Sequence, residues 1–214
     1  MEEKTINAIR QNPLGSPHAV LFYDKPETMA NAAEIFLADG LLAGDAAVIV
    51  ATEPMRESLK LRFTLLGLDL ATFEAEGSYV VLDASETLEL FMAGDTPEKV
   101  LFSRFVGGAI QKACASSRSG KTRAFGEMVA VLCARGAPQA AIRLEHCWNV
   151  LGRMYPLQLL CGYPMDLFRE EGNRSEFALI CDSHAEVLPP ERFAPGIEEA
   201  KRRSMASLQR PSVS

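Results

Sequence analysis

The chain has 214 residues, of which 48% are apolar and 23% charged, and 22 Lys and Arg stand against 28 Asp and Glu for a formal net charge of −6. That length predicts a single folded domain with short appendages, and the composition excludes a disordered chain. The acidic balance argues against direct nucleic-acid binding, and no apolar run approaches the ~20 residues of a membrane span.

The opening MEEKTINAIRQNP carries acids where a signal peptide needs bases, and it lacks an apolar core. Five cysteines without a CxxC pair read as reduced thiols, so the expected compartment is the cytoplasm. Residues 1–16 read as a polar N-terminal arm that closes in the turn-rich Gln11-Asn-Pro-Leu-Gly-Ser-Pro17. His18-Ala-Val-Leu-Phe-Tyr23 then forms a continuous apolar run, the pattern of a strand buried on both faces. Asp24-Lys-Pro-Glu-Thr28 is a loop and helix start. Met29, Ala33, Phe36, Leu37 and Leu41 recur at helical spacing, and Gly44 follows the helix end. Ala46-Ala-Val-Ile-Val-Ala51 is a second strand. It leads into Thr52-Glu53-Pro54 and a helix carrying Leu59, Leu61, Phe63 and Leu66.

Tyr79-Val-Val-Leu82 is a third strand, followed by a helix through Val100, Phe102, Phe105, Val106 and Ile110. Thr122 to Met128 reads as another strand and its exit. A longer helix starts near Pro138 and passes through Leu144, Cys147, Trp148, Leu151 and Met154, and Leu157-Gln-Leu-Leu-Cys161 is a late strand ending in Gly162-Tyr163-Pro164. Alternating strands and helices with short connections predict an α/β fold, a three-layer sandwich with a mainly parallel sheet and helices on both faces. The domain is placed at 17–190. The remaining 191–214, with Lys201-Arg202-Arg203, reads as a solvated basic tail, with a docking segment as the alternative.

Ligands in open α/β sheets bind at the carboxyl ends of the strands. Tyr23-Asp24, Glu53-Pro54, Asp83, Gly126-Glu127 and Gly162-Tyr163 all fall there. The plain alternative for Asp24, Glu53 and Asp83 is helix capping, since carboxylates favour helix N-termini. That alternative is weaker for Glu127, because Gly126 beside it suggests close approach of the backbone to another group. Glu145 and Asn149 lie one helical turn apart with Trp148 beside them, either lining a pocket or packing as ordinary core.

Ser119-Gly-Lys-Thr122 resembles the end of a phosphate loop. It lacks the first glycine, with Ala115 in its place, and it follows a helix instead of preceding one, so a basic turn is the better reading. Cys181 and His184 stand at i, i+3 and Cys161 ends a strand, but a CxxH fragment is too little for zinc, and no metal is expected. His18 and His146 read as ordinary hydrogen-bonding residues. GxSxG, HExxH, paired-carboxylate spacing and an obvious Cys–His dyad are all missing, so nothing announces an enzyme.

Five strings occur in a specific order: His18-Ala-Val-Leu-Phe-Tyr23, Val50-Ala-Thr-Glu53-Pro54, Phe125-Gly-Glu127-Met128, Leu144-Glu-His-Cys-Trp-Asn149 and Leu160-Cys-Gly-Tyr-Pro164. Together they resemble the MEDS family, the DcmR-type sensory domain of methanogen and methylotroph regulators, from about His18 to about Pro189. That family is in turn similar to the RecA/KaiC class of P-loop ATPases. Glu53 matches the glutamate that follows the second strand in KaiC-like proteins. The loop after the first strand, Asp24-Lys-Pro-Glu-Thr-Met29, lacks the phosphate-binding glycines, and Gly126-Glu127 stands where an ATPase would offer a magnesium-binding Asp.

The resemblance implies a non-catalytic regulatory domain that binds a small-molecule signal at the strand ends and passes it on by protein–protein contact. His18, Tyr23, Glu53, Glu127, Glu145, Trp148, Asn149 and Tyr163 are the expected ligand-binding residues. The partner would be a regulatory protein such as a kinase or a transcription factor, and no cofactor is expected. A homodimer would suit a signalling domain, though no heptad pattern supports one. The first alternative is a residual nucleotide binder or weak ATPase with Glu53 and Glu127 around magnesium. The second is a structural, partner-binding domain with a closed rim.

Overall fold

The uninterrupted apolar runs become the middle of one parallel sheet. The computed structural model describes residues 17–169 and 174–188, so the arm at 1–16 and the tail at 191–214 lie outside the described residues. Strand β1 (His18–Tyr23) leads to helix α1 (Pro26–Ala43), and β2 (Ala46–Ala51) to α2 (Glu53–Leu65) and the short α3 (Leu70–Glu76). Next come β3 (Tyr79–Asp83), α4 (Ala84–Glu89) and a small hairpin of β4 (Met92–Ala93) and β5 (Thr96–Pro97). A helical stretch follows as α5 (Lys99–Phe102), a π-turn at Ser103–Gly107 and α6 (Gly108–Ser116). The chain then forms β6 (Thr122–Gly126), α7 (Met128–Ala134), α8 (Pro138–Met154) and β7 (Leu157–Pro164). A 3₁₀ turn at Met165–Phe168, α9 (Arg174–Ser183) and β8 (Glu186–Leu188) complete it.

The six-stranded sheet has the order β3-β2-β6-β7-β1-β8, and every neighbouring pair is parallel. Parallel neighbours need crossover connections, and these are right-handed almost without exception. From β1 the chain steps across the sheet to β2 and β3, then returns through β6, β7 and β8. Reversing direction with one handedness sends the two sets of helices to opposite faces. The packing agrees. Leu21, Ile49, Phe125 and Leu160 face a core made with Met29, Phe36 and Leu37 of α1 and Leu59 and Phe63 of α2. Val20, Val48, Ala124, Leu159 and Cys161 face the other core, with Phe102, Met128, Leu144, Trp148 and Ile180. The expected three-layer α/β sandwich is the observed architecture.

Several details depart from the periodic reading. Leu61 and Leu66 are exposed, and α2 buries Met55, Leu59 and Phe63 instead. Val100 and Phe105 also face outward, while Phe102, Val106 and Ile110 are buried along a face that runs through the π-turn. The Ser119-Gly-Lys-Thr122 segment is a turn entering β6, with Gly120 at φ +73° and Ser119 Oγ donating to Asp45 Oδ1 at 2.5 Å. Among the described residues, no helix is long and apolar enough to cross a membrane.

The glycine at 162 is required by packing. A Cβ there would overlap the sulfur of Met29, which α1 lays across β7. Gly126 is different, because a Cβ would meet Trp148 at 3.8 Å, an ordinary contact. Among the described residues Gly126 therefore has no neighbour that only a glycine would admit.

Candidate functional site

Two polar groups stand out, one at the carboxyl ends of the strands and one inside the sandwich. Strands β2 and β6 are neighbours whose chains leave toward opposite faces, the arrangement that in open α/β sheets sets the ligand crevice between strand exits. Thr52 leaves β2 there and Glu127 leaves β6. Glu127 Oε2 accepts the Thr52 backbone N–H at 2.9 Å and the Thr52 hydroxyl at 2.8 Å. The Glu127 side chain is buried, and burial lifts its pKa above the ordinary carboxylate value, although the two Thr52 donors pull the other way. Tyr23 ends β1 close by. Burial, with the Glu127 charge adding to it, pushes its phenol well above the ordinary value, so it remains a neutral hydroxyl. A carboxylate, a phenol and a threonine hydroxyl at one rim can bind a small polar molecule by hydrogen bonds.

The rim carboxylates do different things. Glu53 is exposed at the first position of α2, where its charge suits the helix N-terminus. Asp83 caps α4, with Oδ1 accepting the N–H groups of Ser85 at 2.8 Å and Glu86 at 2.9 Å while Oδ2 takes Arg56 at 2.8 Å. Asp24 does not cap α1; it lies 3.4 Å from Arg169.

The second group is built by strand alternation. His18 pairs with Leu159 and Val20 with Cys161, so His18, Cys161 and Tyr163 project to the same face of the sheet. Helix α8 lies on that face and presents Glu145 and Asn149 from adjacent turns. His184, just after α9, closes the group. Glu145 is fully buried. Its Oε1 accepts the Tyr163 hydroxyl at 2.7 Å and lies 3.3 Å from His184 Nε2. Its Oε2 lies 3.2 Å from His18 Nε2 and 3.6 Å from Cys161 Sγ. His18 Nε2 also lies 3.3 Å from that sulfur.

Burial alone would favour the acid form of Glu145, but His184 and His18 beside it hold the carboxyl well below the usual range. Conversely, burial depresses the His184 imidazolium and Glu145 restores it, leaving its pKa raised. The Cys161 thiol and the Tyr163 phenol are pushed well up by burial and by the Glu145 charge.

The single pocket expected from the sequence is therefore two places. Tyr23, Glu53 and Glu127 lie at the carboxyl rim. His18 does not: it opens β1 at the other end of the strand and joins Glu145, Asn149 and Tyr163 in the interior. Tyr23 and Tyr163 also belong to different cores, because Tyr163 pairs with Phe22 and so faces the side opposite to the next residue, Tyr23. Trp148 is core, 5.2 Å ring to ring from Phe102, and its indole N–H finds no acceptor among the described residues.

Of Cys161, Cys181 and His184, set aside as metal ligands in the sequence, two come together in the structure. Cys161 and His184 meet His18 and Glu145, and the candidate ligand atoms of these four buried residues all lie within 4.8 Å of one another, with Cys181 outside the group. Sequence reasoning missed Thr52 as the partner of Glu127, although it stands next to Glu53 in one of the recurring strings. It also missed His184, whose only signal was the CxxH fragment.

No curated protein matches the chain. A family does: the one described as MEDS, the methanogen/methylotroph, DcmR sensory domain, matches residues 17–179. The matched span takes in both polar groups except His184. With that span covering most of the chain, the protein belongs to the MEDS family of sensory domains.

Proposed function

We propose that the chain is a non-catalytic sensory domain that binds a small polar molecule at the β2–β6 rim and signals through a protein partner. The observation that carries this reading is the buried Glu127 carboxylate, held by Thr52 at the crevice between two strands whose chains diverge. A ligand that donates a hydrogen bond to Glu127 would compete with Thr52 and shift the two strand exits relative to each other. It can move the domain only by the difference in its affinity for the two arrangements. The chemistry fits small alcohols and amines, which bring O–H or N–H donors to the carboxylate, and a ligand hydroxyl can also accept from Tyr23.

The likeness to RecA/KaiC ATPases belongs to this proposal too, as a fold whose nucleotide rim has been reused. In support, only Asp24 and Lys25 separate β1 from α1, and Pro26 is the first helical residue. A loop of two non-glycine residues gives no cradle of backbone N–H groups for phosphates. We place the protein in the cytoplasm, in keeping with its five free cysteines, and without direct contact to nucleic acid.

Titration calorimetry of the full chain against methylamine, ethanolamine, methanol and ethanol tests the reading, with Glu127→Gln as the comparison. A member of the panel should bind the wild type, and Glu127→Gln should weaken it at least ~10-fold, the cost of about one hydrogen bond to a charged group. Equal affinity in both proteins, or no binding by any of the four, counts against it.

A further inference from the structure

We propose that His18, Glu145, Cys161 and His184 form a four-coordinate site for one zinc-class divalent cation. The site goes beyond the sensory reading and does not rest on it, since none of the four residues lies at the β2–β6 rim. Its test and that of the rim share no residue.

The first support is spacing. Bonds of ~2.0–2.3 Å in tetrahedral geometry set ligand atoms roughly 3.3–3.8 Å apart. Among His18 Nε2, Cys161 Sγ and Glu145 Oε2 the separations are 3.2, 3.3 and 3.6 Å; His184 Nε2 lies 3.3 Å from the other carboxylate oxygen, Oε1, and the four residues' ligand atoms all fall within 4.8 Å of one another. Small rotations of four side chains would place one ion among them.

The second support is the outer shell. Asn149 donates its amide N–H to the Ser183 carbonyl at 2.8 Å, which turns Asn149 Oδ1 to His18 Nδ1 at 3.1 Å. His18 therefore carries its proton on Nδ1. His184 Nδ1 donates to the Ile180 carbonyl at 2.6 Å, so it too is protonated there. Both imidazoles thus turn Nε2 inward, and Tyr163 braces the carboxylate through Oε1. Metal-binding histidines and carboxylates are oriented in this way. Without a metal, His184 Nε2 makes no hydrogen bond among the described residues, even though it is buried 3.3 Å from an oxygen. A His–Glu–His hydrogen-bond network would account for the carboxylate. It leaves His184 Nε2 with an ion-pair contact to the carboxylate at 3.3 Å and no hydrogen bond among the described residues, and Cys161 with a long sulfur contact to the same carboxylate at 3.6 Å.

The third support is charge. Cys161 would lose its thiol proton to solvent as the sulfur–metal bond forms. One divalent cation, one thiolate and one carboxylate then sum to zero, which suits a site where all four residues are buried. Thiolate and imidazole donors select against magnesium and calcium, and four protein donors match structural zinc. The ion would join β1, α8, β7 and the α9–β8 connection, fastening the last strand to the first.

The experiment uses the full chain, stripped with chelator and then dialysed against zinc(II) or cobalt(II). Elemental analysis should return about one zinc per chain. Cobalt should give the intense visible absorption of a tetrahedral ion and a near-ultraviolet thiolate charge-transfer band. Cys161→Ser should abolish that band, and Cys181→Ser should leave it unchanged. Asn149→Ala removes no ligand but frees His18, and should weaken zinc binding by ~10–100-fold. Substoichiometric zinc in the wild type overturns the proposal even where Cys161→Ser does not fold. A charge-transfer band that survives Cys161→Ser, or is lost in Cys181→Ser, overturns it as well.

Discussion

Thr52 closes on Glu127 with two donors, its backbone N–H at 2.9 Å and its hydroxyl at 2.8 Å, both directed to Oε2. The pair joins the exit of β2 to the exit of β6 across the line where the chain turns to opposite faces of the sheet. Every direct contact here is local, but the two strands lead into different helical layers. A ligand that opened this pair would be felt on both sides of the sandwich.

Because burial raises the Glu127 pKa, there is a pH interval above the ordinary glutamate value in which the folded protein holds a proton that the unfolded chain has already released. The stability tied to that proton is fully present below the unfolded carboxylate value and is lost as pH rises through the folded one. Glu127→Gln cannot ionise and can still accept from Thr52. It should be more stable than wild type at neutral pH, and the gap should shrink as pH falls below the ordinary glutamate range. Urea unfolding at the two pH values checks this, and a gap that is the same at both contradicts it.

Asp83 provides the opposite sign. Its pKa is lowered, first by the Glu86 N–H; burial opposes this, and the Ser85 N–H and Arg56 add to the lowering. Its stabilising contribution is present above the unfolded value and fades as pH falls through the folded one. Asp83→Ala should cost about 1 kcal/mol at neutral pH, as loss of a helix cap does. The same substitution should cost little in acid. A pH-independent loss in the same unfolding assay would show that packing, not the charged cap, is what the side chain provides.

The elements most legible in the sequence were those with a strong apolar signal. Ala46 to Ala51 is buried at every residue, and such a run has few alternatives to a central strand. The short elements were not legible. The run from Thr122 to Met128 blends the end of β6 with the start of α7, because Met128 and Val129 are as apolar as the strand before them. Likewise β8 has three residues, below the length at which alternation is informative. Within the site, Glu145 and Asn149 were visible as a helical pair because their spacing is local. Their meeting with His18 spans 131 residues from Asn149 and is set by strand order, which no local pattern encodes. Tyr23 and Tyr163 looked alike at two strand ends, and only the register shows that they face opposite layers.

Tyr163→Phe removes the 2.7 Å bond to Glu145 and leaves a buried carboxylate with one donor fewer. In chelator-treated protein the loss should be about 1.5–3 kcal/mol, the range for hydrogen bonds to charged groups. Chemical denaturation of the two proteins measures it. A difference within error would mean that the phenol serves packing alone.

Gly162→Ala should destabilise by about 1–3 kcal/mol through overlap with Met29. The coupling is specific, so Met29→Val should be less harmful in the Gly162→Ala background than in wild type. A double-mutant cycle by urea unfolding decides it, and strictly additive losses would show that the new methyl is accommodated elsewhere.

The most direct test of the account is a thermal-unfolding scan of the full chain with methylamine, ethanolamine, methanol or ethanol on one side and Mg-ATP on the other, each at millimolar concentration. Saturation to 100 times the dissociation constant adds about 2.7 kcal/mol, which for a chain of this size raises the midpoint by roughly 5–10 °C. The proposed sensory rim predicts a rise with a member of the small-molecule panel and none with Mg-ATP. A rise of that size with Mg-ATP, and none with the panel, would contradict the account and restore the nucleotide reading.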